Sequence, residues 1–557
     1  MISWNNTMSN YEHKSVAMTI ATLLKELSPD CSNFLKVLSF FDPECIPVDM
    51  ITEGAKELQL QSGLDLTSLD NIPSAELKSL AALVCSPVEL PSTIDQFYQL
   101  SLVRHESSKG TGTLHIHDLT QIMIQESAKT DGRQYHWFRV AALFACGAFR
   151  NVDDPQSHFC WARCETLTPH IHALTRWNDE HAVGDLGLEE ANIGIARYLS
   201  SRGRFNEAET LFTRALAGNA RLFGPEQIDK MWILEELAVI YRQQGRYEEA
   251  ETLLGQVLLD GDIFGDKSVD TLQTVHNLAT VYRYQGRYNE ANTLLERALE
   301  AREKVLGPMH PDTLHTVNYL AIIYRLQGRY KESKALCERA LAGREKLLGF
   351  EHPDTLQTVN SLALVYKLQK QYEEAEALCM RAMKGREKSL GPEHPETLVT
   401  VHNLAAVYRL QKRYQEAEKL CKQVVAASAK VLGLKHPKTL WFLNNLAIVC
   451  LLQGRHEEAE EMTKQVLAVS MEQLGFKHRD TLETMDTLAH TYNSQGRYGE
   501  AEMLYKQVLA GCEEVLGLEH PETLLKAQNL AEFFKQQGRH QDKALLQEQF
   551  PSAFKSP

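Results

Sequence analysis

A Gly-Arg-Tyr-like triplet recurs through most of this chain at nearly constant spacing. Its middle residue falls at Arg204, Arg246, Arg287, Arg329, Gln371, Arg413, Arg455, Arg497 and Arg539, and each interval is 42 residues except a 41 between Arg246 and Arg287. A second marker, His-Pro-Asp/Glu-Thr-Leu, begins at His310, His352, His394 and His520, with variants at His436 and His478. Residues 184–543 therefore hold nine copies of one unit. A unit of this size cannot bury an apolar face alone, so the copies must stack as a solenoid with a continuous core. Such a stack offers a long contact surface and seldom a catalytic cleft. The first expectation is binding rather than catalysis.

One copy, residues 310–349, shows how the unit folds. Pro311 suits a first helical position, where a missing N–H costs nothing, and Asp312 suits the first turn beside the helix dipole. Leu314, Val317, Leu320, Ala321 and Tyr324 follow at helical steps. Gly328 predicts a turn. Tyr330, Ser333, Leu336, Cys337, Ala340 and Leu341 make a second stripe, which Gly349 can close. The unit is a helical hairpin. Cys337, Cys379 and Cys421 share one position in three copies and read as small buried residues. Cys160 and Cys164 lack the companion pair of a zinc site. Lys370 and Lys412 replace the turn glycine, which demands either a positive φ or another turn. The first copy, with Ile195-Ala196 at its core, reads as a cap.

The string Leu320-Ala321-x-x-Tyr324, then Gly328, Tyr330, Ser333 and Ala340, resembles the tetratricopeptide repeat. The 42-residue variety is similar to the repeats of kinesin light chains and to those ending many fungal signalling NTPases. The resemblance implies an all-α, right-handed solenoid whose first helices line a concave groove. By that resemblance, one groove position lies two residues before Leu-Ala and includes His276, Asn318, Asn360, His402 and Asn444. Another follows the tyrosine and holds Arg242, Arg283, Arg325, Lys367 and Arg409. The amides and imidazoles would hold the backbone of an extended peptide. The cations would favour acidic or phosphorylated side chains, because guanidinium grips carboxylate and phosphate with two hydrogen bonds. A competing reading has these cations neutralised by Glu248, Glu290 and Glu332 and facing water.

Residues 1–183 lack the period. A flexible segment is expected at 1–17, a winged-helix-like α+β domain at 18–126, a helical connector at 127–183 and a tail at 544–557. Helical patterns at Ala17–Leu27, Asn33–Phe41 and Ser92–Leu100 precede strand-like runs around Gly110 and Gly112. Val37–Pro47 resembles the winged-helix segment of fungal STAND, or NOD-like, proteins, and Ile116-His117-Asp118 matches their Met-His-Asp motif. Trp161–Cys164 through Leu167–His170 resembles their helical connector. That likeness implies a nucleotide-sensing role for His117 and Asp118 if a nucleotide domain is present. From the residues alone, Asp118 with Gln121 three positions on reads as a capping box, with Asp118 as the N-cap. No Gly-x-x-x-x-Gly-Lys-Ser/Thr phosphate loop occurs. The nearest string, Gly261 to Ser268, has Asp266 between Gly265 and Lys267.

The net charge of −14 argues against a nucleic-acid binder. No apolar run reaches the length needed to span a bilayer. The polar start lacks signal-peptide order, so a cytoplasmic protein is expected. No cofactor, metal site or catalytic constellation is expected. The expected function is a non-catalytic scaffold or ligand-sensing module of the STAND type that binds partner peptides in its groove. Two alternatives stand beside it. One is the tail of a nucleotide-driven STAND switch, which the closeness of Met1 to the winged-helix-like segment suits. The other is a kinesin-light-chain-like cargo adaptor, which lacks here the heptads of a long coiled coil.

Overall fold

The computed structural model describes residues 19–554 apart from 21, 61–73, 109–110, 158, 185, 223–227 and 264–268. The expected segment 1–17, Gly110 and the end of the Gly261–Ser268 string lie outside the described residues. The chain divides into two compact units, Met1–Lys230 and Met231–Pro557. The division falls after the first repeat, whose helices are Leu186–Ser201 and Phe205–Leu222.

In the first unit, α1 (Pro29–Leu38) leads to β1 (Ile46–Pro47), α2 (Val48–Leu60), α3 (Ser74–Cys85) and α4 (Glu89–Gln99). A hairpin of β2 (Val103–Ser108) and β3 (Thr111–Ile116) follows. The strands form an antiparallel sheet of order β1-β3-β2, with Ile46 opposite Leu114 and Val103 opposite Ile116. Three helices complete the non-repeat part: α5 (Asp118–Thr130), α6 (Gln134–Arg150) and α7 (Trp161–His181). Phe34, Phe41, Phe97, Trp137, Phe138 and Phe144 fill the core. Arg163 on α7 ties back to Asp49 (2.9 Å) and Glu53 (2.5 Å) on α2. The first repeat seats on this part through Asn192, which donates to Thr175 (2.9 Å), and through Phe149, which packs over Gly194.

The second unit carries hairpins 2 to 9. Their helix pairs are Ile228–Gln243/Tyr247–Ile263, Val269–Tyr284/Tyr288–Val305, Pro311–Leu326/Tyr330–Leu348, Pro353–Leu368/Tyr372–Ser389, Pro395–Leu410/Tyr414–Val431, Pro437–Leu452/His456–Gln473, Arg479–Ser494/Tyr498–Leu516 and Pro521–Gln536/His540–Gln549. Each core cluster bridges neighbours. Ala279, Ala291 and Leu295 of hairpin 3 meet Leu320 and Ile323 of hairpin 4, and Ala321 and Cys337 meet Leu362 and Val365 of hairpin 5. Cys337, Cys379 and Cys421 are buried, and burial pushes the Cys337 thiol up to about 12. At the end of the chain, Phe550 and Ala553 are buried against hairpin 9.

The recurring histidine is a helix cap. Nδ1 of His310 accepts from the Asp312 amide (3.2 Å), and His352, His394, His436, His478 and His520 repeat the bond at 3.1–3.2 Å. An imidazole in this position satisfies one of the free N–H groups of the first turn. The same geometry corrects the capping-box expectation in the first unit. His117, not Asp118, is the N-cap of α5, with Nδ1 accepting from the Leu119 amide at 3.2 Å. Gln121 does not reach back to that cap and instead donates to the carbonyls of Ser39 and Phe41. Lys370 and Lys412 keep the glycine-type turn, at φ 61° and 62°.

Hairpins 8 and 9 reach back to hairpins 2 and 3. Nε2 of His478 lies 3.0 Å from the carbonyl oxygen of Gln243. Because Nδ1 of this ring accepts the cap bond, Nε2 carries the hydrogen and donates. Leu516 packs against the cluster that includes Tyr247 and Leu254, and His520 lies against Gly286.

Candidate functional site

Three rows of positive or polar side chains repeat along the second unit, and their surroundings differ. The turn arginines of the Gly-Arg-Tyr triplets form the first. Arg413 binds Glu376 of the preceding hairpin (2.9 Å) and Glu416 of its own (2.5 Å), while Arg497 binds Glu460 (2.8 Å) and Glu500 (2.5 Å). Arg287, Arg455 and Arg539 repeat the pattern. Each guanidinium also lies over a tyrosine ring at 4.0 Å in Arg287, Arg329, Arg413 and Arg497. Hydrogen bonds from Lys422 and Arg455 pull the Glu418 carboxyl down to about 2.

A second row is buried in the fold. Nη1 of Arg344 donates to the Asp354 carbonyl (2.7 Å) and to the Thr358 hydroxyl (2.8 Å), and Arg386 does the same with Glu396 (2.8 Å) and Thr400 (2.7 Å). Arg302 matches them through Thr316 at 2.6 Å. These staples join one hairpin to the next. Sequence reasoning passed over them, although arginine and threonine both recur at the 42-residue spacing.

The third row is the expected groove, carried by the first helices. Arg242, Arg283, Arg325, Lys367 and Arg409 are half-buried, and no carboxylate among the described residues lies within ion-pairing distance of any of them. Glu290 and Glu332, which the competing reading gave to this row, are held by the turn residues Arg287 and Arg329. Nε of Arg283 and of Arg325 is buried without a hydrogen-bond partner. Arg283 and Arg242 stack over the Tyr284 ring at 4.2 and 5.5 Å. Burial, with repulsion from Arg325 and Arg409, brings Lys367 down to about 8.

Beside these cations, His276, Asn318, His402 and Asn444 are almost fully buried, Asn318 at 1% exposure. Both side-chain atoms of Asn318, Oδ1 of Asn444 and Nδ1 of His276 lack partners. Asn360 differs, since its Oδ1 accepts from Asn403 at 3.1 Å. The His402 ring lies 4.1 Å from that of Trp441, tilted by 53°, and burial with Lys367 and Arg409 nearby depresses it to about 3. His276 sits 3.7 Å from Tyr319 and is depressed to about 3 by burial and by His315, Arg302, Arg242 and Arg283. Both rings are neutral at ordinary pH. The wall therefore combines fixed cations, neutral imidazoles and amides with free hydrogen-bonding capacity. Beyond Asn444 the wall changes character, because Asp486 accepts from Lys526 at 2.8 Å. His117 and Asp118 belong to the first unit, where His117 caps α5 and Asp118 is its first residue.

Residues 188–258, 270–346, 314–376, 354–417 and 398–472 match one tetratricopeptide repeat family, and residues 481–522 match another. The protein is a tetratricopeptide-repeat protein. Among solved structures it is similar to nearly identical TPR-like repeats of kinesin-light-chain type from Podosopora anserina, at 34% identity over 37% of this chain and 97% of that one, TM-score 0.33. It is also similar to a STAND protein with a tetratricopeptide repeat sensor from Pyrococcus horikoshii, at 14% identity over 90% and 66%, TM-score 0.43. A Rap protein complexed with competence and sporulation factor matches at 12% identity over 66% and 97%, TM-score 0.45. None of the curated proteins compared with it matches. Among the described residues no helix is long and apolar enough to cross a membrane.

Proposed function

We propose that this chain is a non-catalytic scaffold that binds an extended acidic or phosphorylated segment of a partner protein along the wall of hairpins 2 to 7. The observation that carries this reading is the row Arg242, Arg283, Arg325, Lys367 and Arg409, which has no acidic partner and runs beside buried Asn318, Asn444 and His276 with unmet hydrogen bonds. A buried polar atom left unpaired costs about 1–3 kcal/mol. A peptide backbone would satisfy the amides and imidazoles once the side chains around them part, since Asn318 is only 1% exposed. Its carboxylates or phosphates would relieve the mutual repulsion that Lys367 shows. The test is the triple variant Arg283→Glu, Arg325→Glu, Arg409→Glu, measured by fluorescence anisotropy with labelled poly-glutamate and phosphoserine peptides. Binding should fall by about 100-fold or more, since each lost charge-assisted contact is worth about 1.5–3 kcal/mol. Unchanged affinity in a correctly folded variant would end the reading.

A second reading concerns the first unit. The order helix, strand, helices, hairpin, with its sheet arranged β1-β3-β2, supports a winged-helix-like domain of the STAND kind. The native protein's size and peptide map test it. Upstream peptides with a glycine-lysine phosphate loop would make His117 and Asp118 nucleotide-sensing candidates, and a chain beginning at Met1 would count against that role.

A further inference from the structure

The contact of hairpins 8 and 9 with hairpins 2 and 3 has features that ordinary stacking does not explain. It joins segments more than 200 residues apart, such as His478 and Gln243. It also changes residues that are otherwise equivalent. Tyr247 is 7% exposed, whereas Tyr498 at the same repeat position is 47% exposed. Tyr247 is covered where Leu516 packs on its cluster across the seam. The contact is small and mixed: among the described residues it holds the His478–Gln243 hydrogen bond, Leu516 on an apolar patch, and His520 on a glycine. Nearby, Arg479 pairs with Glu522 at 2.8 Å. Tyr288 feels that pair together with Arg283 and Arg325, so seam and wall share one electrostatic neighbourhood.

We propose that this seam is a latch: it closes one turn of hairpins around the basic wall and parts to admit the ligand. The proposal rests on the reading of that wall as a binding site. Hairpins 3 to 7, which carry most of the wall, lie between the two joined ends, and their inner side chains are correspondingly buried. An interface of this size can open locally at far lower cost than the packed cores between neighbours. Gating then acts on the association rate.

The turn glycines supply a clean test. A Cβ at Gly286 would stand 2.4 Å from Cδ2 of His520, while one at Gly328, at the same repeat position, meets nothing within 4 Å. Both have positive φ, 72° and 77°, so backbone strain is common to both. Lysine is native at this position in hairpins 5 and 6, as Lys370 and Lys412, so the turn itself accepts it. Gly286→Lys should therefore part the seam and Gly328→Lys should not. In Gly286→Lys, amide hydrogen exchange around residues 243–247 and 478–482 should rise about tenfold. A fluorescent poly-glutamate peptide should also associate about fivefold faster, by stopped flow. Equal exchange and equal association in the two variants would overturn the latch. Failure of all three proteins to bind the peptide would instead overturn the reading of the wall, and the exchange data tell these two failures apart.

Discussion

The rim of turn arginines and the inner wall of groove cations use the same chemistry at the same period, only a few residues apart in each hairpin. Their fates are opposite. On the rim, Arg413, Arg455 and Arg497 each bridge two glutamates, and Glu418 and Glu460 are held down to about 2. On the wall, burial and like-charge neighbours push Arg325 down and Lys367 to about 8. The rim charges are consumed by the fold, since Arg287, Arg413, Arg455, Arg497 and Arg539 each join one hairpin to the preceding one. The wall charges oppose it, because burial and like-charged neighbours disfavour them. Periodicity fixes where a charge stands, and the neighbours supplied by the adjacent hairpin decide what it does.

Disabling the rim should give the largest stability effect. Glu418→Gln removes the charge shared by Arg455 and Lys422, leaving Arg455 with Glu458 alone, and should cost up to about 2 kcal/mol for two solvent-screened pairs of up to about 1 kcal/mol each, read as a lower urea midpoint with peptide affinity unchanged. Loss of affinity without loss of stability would erase the distinction between the rows. Lys367→Met should do the reverse. Removing a half-buried cation with no anionic partner should stabilise the fold by about 1 kcal/mol and weaken binding of an acidic peptide. A destabilised Lys367→Met protein would show that the wall charges serve the fold after all.

Acid and alkali should separate the rows next. Glu418 and Glu460 have folded pKa values below their unfolded values, so the unfolded chain binds more protons as pH falls. Their contribution is present above the usual carboxylate range and is lost as pH drops from there through about 2. Lys367 is also depressed, but as a cation. Its penalty is complete below about 8 and is relieved as pH climbs from 8 toward the usual lysine value of roughly 10.4. Urea midpoints should rise across that alkaline window in the native protein and not in Lys367→Met.

What could be read from the sequence was whatever depends on local spacing. The hairpins, the first-turn prolines and the buried Cys337 row all follow from the helical period within one unit, whereas the wall positions came only from the likeness to tetratricopeptide repeats. The histidine caps were half visible, because His310 and its equivalents recur at the repeat period. Side-chain reach then favoured the wrong residue at the start of α5, where Nδ1 of His117 meets the amide two residues on and leaves Asp118 at the first helical position. The stapling arginines Arg302, Arg344 and Arg386 escaped notice because a charged residue in an amphipathic helix reads as surface. The seam was out of reach, since no local pattern encodes the curvature that brings His478 to Gln243.

The smallest expected effect is also the most specific to the wall. At about pH 8.5 the Lys367 amine is divided between its two forms, because its folded value is about 8. An acidic group bound beside it would favour the ammonium, as an opposite charge raises a neighbouring amine's pKa. Binding of poly-glutamate at that pH should then take up a fraction of a proton per site. His402, depressed to about 3, lies too far below this pH to contribute. Calorimetric titrations in buffers of different ionisation enthalpy would show the uptake as a buffer-dependent heat. Lys367→Met should abolish that dependence while Arg242→Met leaves it intact. Binding with no uptake would place the peptide's acidic groups away from Lys367, at the Arg242–Arg325 end of the row, and would shorten the site to hairpins 2 to 4.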